Sequence, residues 1–313
     1  MNLFATVLTY PAPSANYRGE SELNRSVIQK VTDGRFDYPI ISPEAMRNAL
    51  REILASEPYQ ESFKTASNRE RLNDEEQLAV KFNDYPDPDK YADDYLFGYL
   101  VAASQSDRKK IRKALEKKRG KKSAGAFQFK RDSVLRMNLA KALEPYRHNA
   151  IFTQSPLATD DSAYKNATTS ALLHRETAVT AFQYPFALNG NDCKAKPDWA
   201  RALLRAIGEL NEVAGNHARS YFEMAPASII ARVTESLVAG FNTYCFKPDG
   251  QLPDVIADIL TGDYPGGEFY IGGELVKRGL NPDDVEQLRK MGVTLERDPR
   301  KLLDVVAGKL LED

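Results

Sequence analysis

Ten of the fifteen residues from Arg108 to Lys122 are basic, and a stretch so rich in Lys and Arg cannot be packed into an apolar core. Whatever the chain folds into must carry this run outside, as a solvated helix, a loop, or a footprint for a polyanionic partner. The run belongs to a larger imbalance. Residues 101–150 hold fifteen Lys or Arg against four Asp or Glu, a block of +11, while the whole 313-residue chain has a formal charge of −1, so the remainder sums to −12. Segregated charge raises the local concentration of a partner such as nucleic acid, whereas mixed charge mainly maintains solubility.

At 313 residues and 42% hydrophobic content, the chain can bury a full core and sits just above the size at which one core splits or acquires insertions. The two cysteines, Cys193 and Cys245, lack metal or redox spacing, which suits a reducing compartment. The amino terminus, MNLFATVLTYPAPSA, has no basic residue before its short apolar stretch and is a poor signal peptide. No run approaches the ~20 apolar residues that span a bilayer. The expected location is the cytoplasm.

Residues 3–10 read as a buried strand stopped by Pro11 and Pro13. Residues 24–32 and 38–41 read as strand pieces around the polar turn Asp33-Gly34-Arg35. Ser42-Pro43 opens a helix, with a capping hydroxyl followed by proline at the first helical position. Met46, Ala49, Leu50, Ile53 and Leu54 form its apolar stripe, leaving Arg47 and Arg51 on another face. Residues 57–98 are acidic and proline-punctuated, the basic run reads helical up to Gly120, and together they read as an insertion over 57–125. Residues 127–136 return to strand-like alternation, 151–175 read as a protruding hairpin or loop, and 177–188 are the clearest strand. A helix over 197–214 carries Trp199, Leu203, Ile207 and Leu210 and ends at Gly215. Strands near 220–224 and 228–234 and short helices near 252–261, 282–291 and 299–311 complete an α+β pattern. Two helices would cover one side of an antiparallel sheet, and the other side of such a sheet can bind single-stranded RNA.

Several segments, in order, carry a resemblance. TYPAPSANYRGESELNRSVIQKV, YPIISPEAMRNALREIL, DDYLFGYL, KRDSVLRMNLAKALEPY, RETAVTAFQYPFALN and RALLRAIGELNEVAGNHARSYFEMAP resemble the backbone subunit of type I CRISPR surveillance complexes, in particular the DevR-type Cascade subunit of type I-B systems. The resemblance implies an RNA-recognition-motif-like palm with a helical finger insertion and a thumb hairpin. On that map the palm occupies 1–56, 126–152 and 175–313, the last with C-terminal helices, while the finger is 57–125 and the thumb 153–174. It also implies a binding protein that is not an enzyme and carries no cofactor. Copies stack head to tail along CRISPR RNA and present it to one strand of target DNA, beside a large subunit, a guide 5′-end subunit and a guide-processing subunit.

RNA held without sequence preference needs donors to phosphates and ribose hydroxyls that leave the bases free. Arg47 and Arg51, near the start of the first helix with Ser42 as its cap, are one candidate set; their alternative is pairing with Glu44 and Glu52. Asn16 and Arg18 sit in the loop after the first strand, and Asn24 and Arg25 open the next strand. Lys130, Arg131 and Arg136 return from the insertion. Asn216, His217 and Arg219 follow the second helix, and Lys165 and Asn166 belong to the hairpin. Loop capping is the competing explanation for the polar loop residues. His148 and His174 read as structural, and no zinc site or acid/base pair is expected. Two other functions compete. One is a metal-dependent endoribonuclease using Asp33 and Asp37, as in type III backbone subunits; the other is a free-standing DNA-binding regulator, for which the sequence lacks a helix-turn-helix.

Overall fold

Strand β1 (Asn2–Leu8) forms the middle of the molecule because Leu3, Ala5 and Val7 alternate towards one buried face, the period-two pattern of a half-packed strand. The computed structural model describes residues 1–14, 17–22, 25–73, 78–154, 157–159, 161–162, 172–213 and 222–312. Helix α1 (Pro43–Ala55) starts where expected: Ser42 accepts a hydrogen bond from the Ala45 amide at 3.2 Å, with Pro43 in the first turn. A cap of this kind contributes about 1 kcal/mol. Met46, Ala49, Leu50 and Leu54 are buried, as the stripe predicts.

Strand β2 (Ala140–Ala142), strand β3 (Phe182–Asn189), helix α2 (Pro197–Gly208) and strand β4 (Ser228–Thr234) complete the central unit. β1 pairs antiparallel with β3, Asn2 opposite Asn189 and Leu8 opposite Gln183, and with β4 on its other side, Asn2 opposite Thr234 and Leu8 opposite Ser228; β2 pairs antiparallel with β3. The order is thus β4-β1-β3-β2, extended beyond β2 by the hairpin of Phe36–Ile41 and Lys30–Asp33, and beyond β4 by Phe269–Gly273 and Thr294–Glu296. Helices α1 and α2 and the C-terminal helix Pro299–Leu311 bury one face of this sheet, contributing Leu50, Leu203, Ile207 and Leu303 to a core that includes Phe182, Tyr184, Phe186 and Leu188. The hairpin turn falls at Gly34-Arg35 and the three C-terminal helices at Asp254–Thr261, Pro282–Lys290 and Pro299–Leu311, close to their expected positions.

Several expectations need correction. The opposite face of the sheet is not open for RNA: Ile230 lies in a second core with Phe246, Ile256, Phe269 and Ile271. Gln183 exchanges two 3.1 Å hydrogen bonds with the Phe246 backbone. Helix α2 ends at Gly208 rather than 214, although Leu210 and Val213 remain buried; burial continues after the helix because Asn211 bridges to Glu223 and Glu212 takes a positive φ of 49°. That isolated bridge stands in place of a strand over residues 222–224; Gly215 lies outside the described residues. Residues 127–136 form two short strands, Lys130–Arg131 and Arg136–Met137, because Leu135 turns inward and its amide bonds the Leu96 carbonyl at 2.9 Å. The expected strand over 177–188 is divided at Ala181 into Ala178–Thr180 and β3.

Within 57–125, Tyr59, Ala92, Tyr95, Leu96 and Phe97 pack into the main core. The helix Gln105–Arg119 instead builds a small separate core of Leu115, Ala124, Phe127 and Phe129. No helix among the described residues is long and apolar enough to cross a membrane.

Candidate nucleic-acid interface

The segment returning from the basic helix is clamped onto α1, and the clamp shapes a groove. Strand Lys130–Arg131 pairs with Tyr99–Leu100. The Ser133 hydroxyl lies 3.0 Å from the Leu96 carbonyl, and Arg47 Nη2 donates to the Leu135 carbonyl at 2.8 Å and contacts Ser133 Oγ at 3.4 Å. Arg131 lies over the Tyr95 ring at 4.5 Å, and Tyr95 meets Trp199 edge-on at 5.7 Å. These contacts leave a groove of about 350 Å³ lined by Gln128, Lys130, Arg131, Asp132, Ser133, Val134, Arg136 and Asp192.

The groove's cations differ in freedom. Arg136 is exposed and makes no ion pair among the described residues, and Lys130 has only the 3.4 Å pair with Asp132, both side chains being exposed. An exposed pair of that kind contributes little and exchanges readily for another anion. Arg131 and Arg47 are partly buried, and each keeps a buried Nε without a hydrogen-bond acceptor. Desolvation lowers the Arg47 pKa, opposed by nearby Glu44. Donors fixed beside a charged rim suit phosphate and ribose oxygens better than bases, which need edge-on contacts.

Ser42 is engaged as the α1 cap. Arg47 binds a main-chain carbonyl rather than Glu44, and Glu52 accepts from Asn48 at 3.0 Å. Arg51 stacks over Phe97 at 4.4 Å, away from the groove, and lines a separate cleft. Lys130, Arg131 and Arg136 come together in the groove. The backbones of Arg18 and Arg25 lie in short paired strands. Asn16, Asn24, Lys165, Asn166, Asn216, His217 and Arg219 lie outside the described residues.

The cations of the basic run differ in whether they are paired. Ser104 caps its helix, accepting from the Asp107 amide at 3.2 Å. Arg119 pairs with Asp84 and Asp87 at 3.0 and 3.1 Å, and Lys118 reaches Asp84 at 2.9 Å. Burial works to raise the Asp84 pKa, but hydrogen bonds from Lys118, Arg119 and the Tyr85 amide outweigh it and hold the group at about 2. Arg108 and Arg112 lie over Phe129 at 5.0 and 5.8 Å. Lys109, Lys113, Lys117, Lys121 and Lys122 are exposed, with no carboxylate partner among the described residues.

An aromatic array at the hairpin root was not legible in sequence. Phe152 and His174 are cross-strand partners, stacked at 4.7 Å with rings 4° apart. His148 lies 6.1 Å from His174, and Tyr146 6.4 Å from His148. Lys30 sits over Tyr146 at 4.1 Å and pairs with buried Glu176 at 3.3 Å. Only the strand register, Phe152 opposite His174, could have revealed the array.

No family model matches the chain. A curated protein of Myxococcus xanthus (strain DK1622), named CRISPR-associated protein Cas7/Cst2/DevR, is 27% identical over 303 residues, covering 92% of this chain and 91% of that one. Among solved structures, a chain of a CRISPR RNA-guided surveillance complex in a pre-nicking state matches with a TM-score of 0.58 at 11% identity, covering 99% of this chain and all of that one. A chain of a second CRISPR RNA-guided surveillance complex matches with a TM-score of 0.54 at 13% identity, covering 99% of each. The mixed helix-and-sheet fold is therefore shared with chains of such complexes, and the DevR-type resemblance read from the sequence holds: the chain is a homologue of the Cas7/Cst2/DevR protein.

Proposed function

We propose that the chain is the crRNA-binding backbone subunit of a type I-B Cascade complex, polymerising along the guide spacer and presenting it to one strand of target DNA. The similarity to a Cas7/Cst2/DevR protein, 27% identical over 92% of this chain, carries this reading, and the cationic groove beside α1 supplies the chemistry. The order β4-β1-β3-β2 with α1 and α2 on one face is the βαββαβ arrangement expected of an RNA-recognition-motif-like palm. Its covered second face directs the guide to the groove edge instead of across the sheet. In this reading residues 57–125 form the finger and 153–174 the thumb, further copies bind head to tail, and the large, guide 5′-end and guide-processing subunits complete a cytoplasmic assembly.

Binding rather than cleavage is supported by the carboxylates of the enzymatic alternative. Asp33 pairs with Lys141, and Asp37 accepts the Thr32 hydroxyl at 2.7 Å. Each carboxylate has a partner of its own, and guide-complementary RNA should survive incubation with the chain and Mg²⁺.

Expressed with its partner subunits and a CRISPR array, the chain should copurify with spacer-repeat RNA. Lys130→Gln with Arg136→Gln should lower affinity by roughly tenfold for every spacer alike, since each charge-assisted phosphate contact contributes ~1.5–3 kcal/mol before solvent screening. A spacer-dependent loss, or copurified RNA unrelated to CRISPR transcripts, contradicts the reading.

A further inference from the structure

The second cleft, of about 680 Å³, lies between the hairpin Arg69–Asn73/Leu78–Phe82 and the basic helix, behind the C-terminal half of α1. Its volume is that of a small-molecule site. Arg51 and Arg69 form part of its lining. Neither guanidinium makes a hydrogen bond or ion pair among the described residues, and Arg69 Nε is buried without an acceptor. Burial is the largest effect on Arg51, the Arg69 and Arg47 charges add to it and Asp93 and Asp94 oppose it, and the net result lowers the Arg51 pKa to about 10.

The carboxylates in the same cleft are already engaged. Asp93 accepts from the Asn68 amide at 2.9 Å, the Arg69 amide at 3.0 Å and the Ser67 hydroxyl at 3.1 Å. Asp94 accepts from the Asp87 amide and the Asn68 side chain at 2.9 and 3.0 Å. Asp84 is held by Lys118 and Arg119. Asp93 and Asp94 attract Arg51 across the cleft but give their hydrogen bonds to other donors, so neither guanidinium has a hydrogen-bond acceptor among the described residues and an incoming anion can supply one. The three aspartates limit how much charge it can bring, since a triphosphate would meet them at short range.

The remainder of the lining is apolar. Phe82 and Leu100 are 61% and 72% exposed at the cleft, and Tyr99 stands beside them. A cationic end and an apolar, aromatic end in one cleft match a ligand with one phosphate and one flat ring. We propose that this cleft binds a single nucleotide, its phosphate on Arg51 and Arg69 and its base against Phe82 and Leu100. The cleft shares no lining residue with the groove, although its Tyr99–Leu100 strand pairs with Lys130–Arg131. Its ligand comes either as a free nucleoside monophosphate or as one nucleotide of a bound strand.

The full-length chain is titrated with adenosine 5′-monophosphate and with inorganic phosphate by calorimetry, and is separately photocrosslinked to single-stranded RNA carrying 4-thiouridine. The expected result is saturable binding of the mononucleotide, at least tenfold tighter than phosphate. Arg69→Gln should weaken it about tenfold or more, the loss of a charged hydrogen bond. Phe82→Ser, on an exposed side chain and so safe for folding, should weaken it about fivefold or more, the loss of one base stack. If the mononucleotide does not bind but RNA crosslinks at Tyr99 or Phe82 and Arg69→Gln abolishes the crosslink, the site takes a nucleotide of the strand and the proposal stands. Equal binding by wild type and both variants, or neither binding nor crosslinking at this cleft, overturns it. A chain that binds mononucleotide but no guide RNA would instead defeat the function proposed above while leaving the cleft assigned.

Discussion

Asp94 shows how a single buried group sets a pH response. Burial and the neighbouring Asp93 charge raise its pKa from 3.8 to about 6, against the hydrogen bonds from the Asp87 amide and Asn68 that favour ionisation. In the unfolded chain this carboxyl ionises near 3.8, whereas the folded protein holds the proton to about 6. Its contribution to stability is therefore complete at low pH and is lost as pH rises through that window. Asp94→Asn keeps a carbonyl for both donors and removes the ionisation. Urea unfolding should show little difference between variant and wild type at pH 4 and an advantage to the variant on the order of 1–3 kcal/mol by pH 7.5. Parallel pH profiles would show that Asp94 is not held back from ionising. Sequence alone could not supply this, because Asn68 and Asp87 acquire their meaning only when the chain folds Ala92–Phe97 against them. Arg47 is similar: its spacing on α1 was readable, but its partner, the Leu135 carbonyl, is 88 residues away.

At the scale of elements, local signals were the readable ones. The Ser42-Pro43 start of α1, the hairpin turn and the C-terminal helices each depend on residues within one or two turns of each other, and each lies close to its expected position. The second sheet face was misjudged because its cover comes from residues beyond 240, which carry no signal of where they dock. Lys130, Arg131 and Arg136 were singled out by charge, and what gathers them is a backbone junction at Gly98. Gly98 has a φ of +66°, and a Cβ there would stand 2.4 Å from the Arg131 carbonyl. Gly98→Ala should thus cost roughly 3 kcal/mol or more, from combined backbone strain and clash. Gly308, inside the helix Pro299–Leu311 with open space around its missing Cβ, gives the opposite sign: Gly308→Ala should stabilise by about 0.5–1 kcal/mol. Thermal unfolding of the two variants side by side checks the pair, and a neutral Gly98→Ala would mean that the junction can relax.

For the whole molecule, the +11 block and the −12 remainder act as two separate fields only where the cations are uncommitted. Arg119 and Lys118 are committed to Asp84 and Asp87, so they tie the basic helix to the segment before it and add little to a long-range field. Lys109, Lys113 and Lys117 are solvated on the outer side of the same helix, while Lys130 and Arg136 edge the groove. If the guide lies in the groove, the outer lysines face a different polyanion, for which the target strand and the acidic flanks of a neighbouring copy compete. Residues 57–98 and 249–313 each sum to −6, so charge alone favours neither. Salt separates them, since each phosphate neutralised on a single strand changes the slope of log affinity against log salt by about 0.7. Changing Lys109, Lys113 and Lys117 together to Gln should leave thermal stability and guide affinity unchanged, because none has a carboxylate partner among the described residues or lines the groove. With target DNA added to the guide-loaded assembly, the same variant should reduce the salt slope for target capture by roughly 2 if the three lysines meet the strand. An unchanged slope with weaker copy-to-copy association in sedimentation would assign the outer face to the neighbour, and a loss of guide affinity would show that the groove is not where the guide is held.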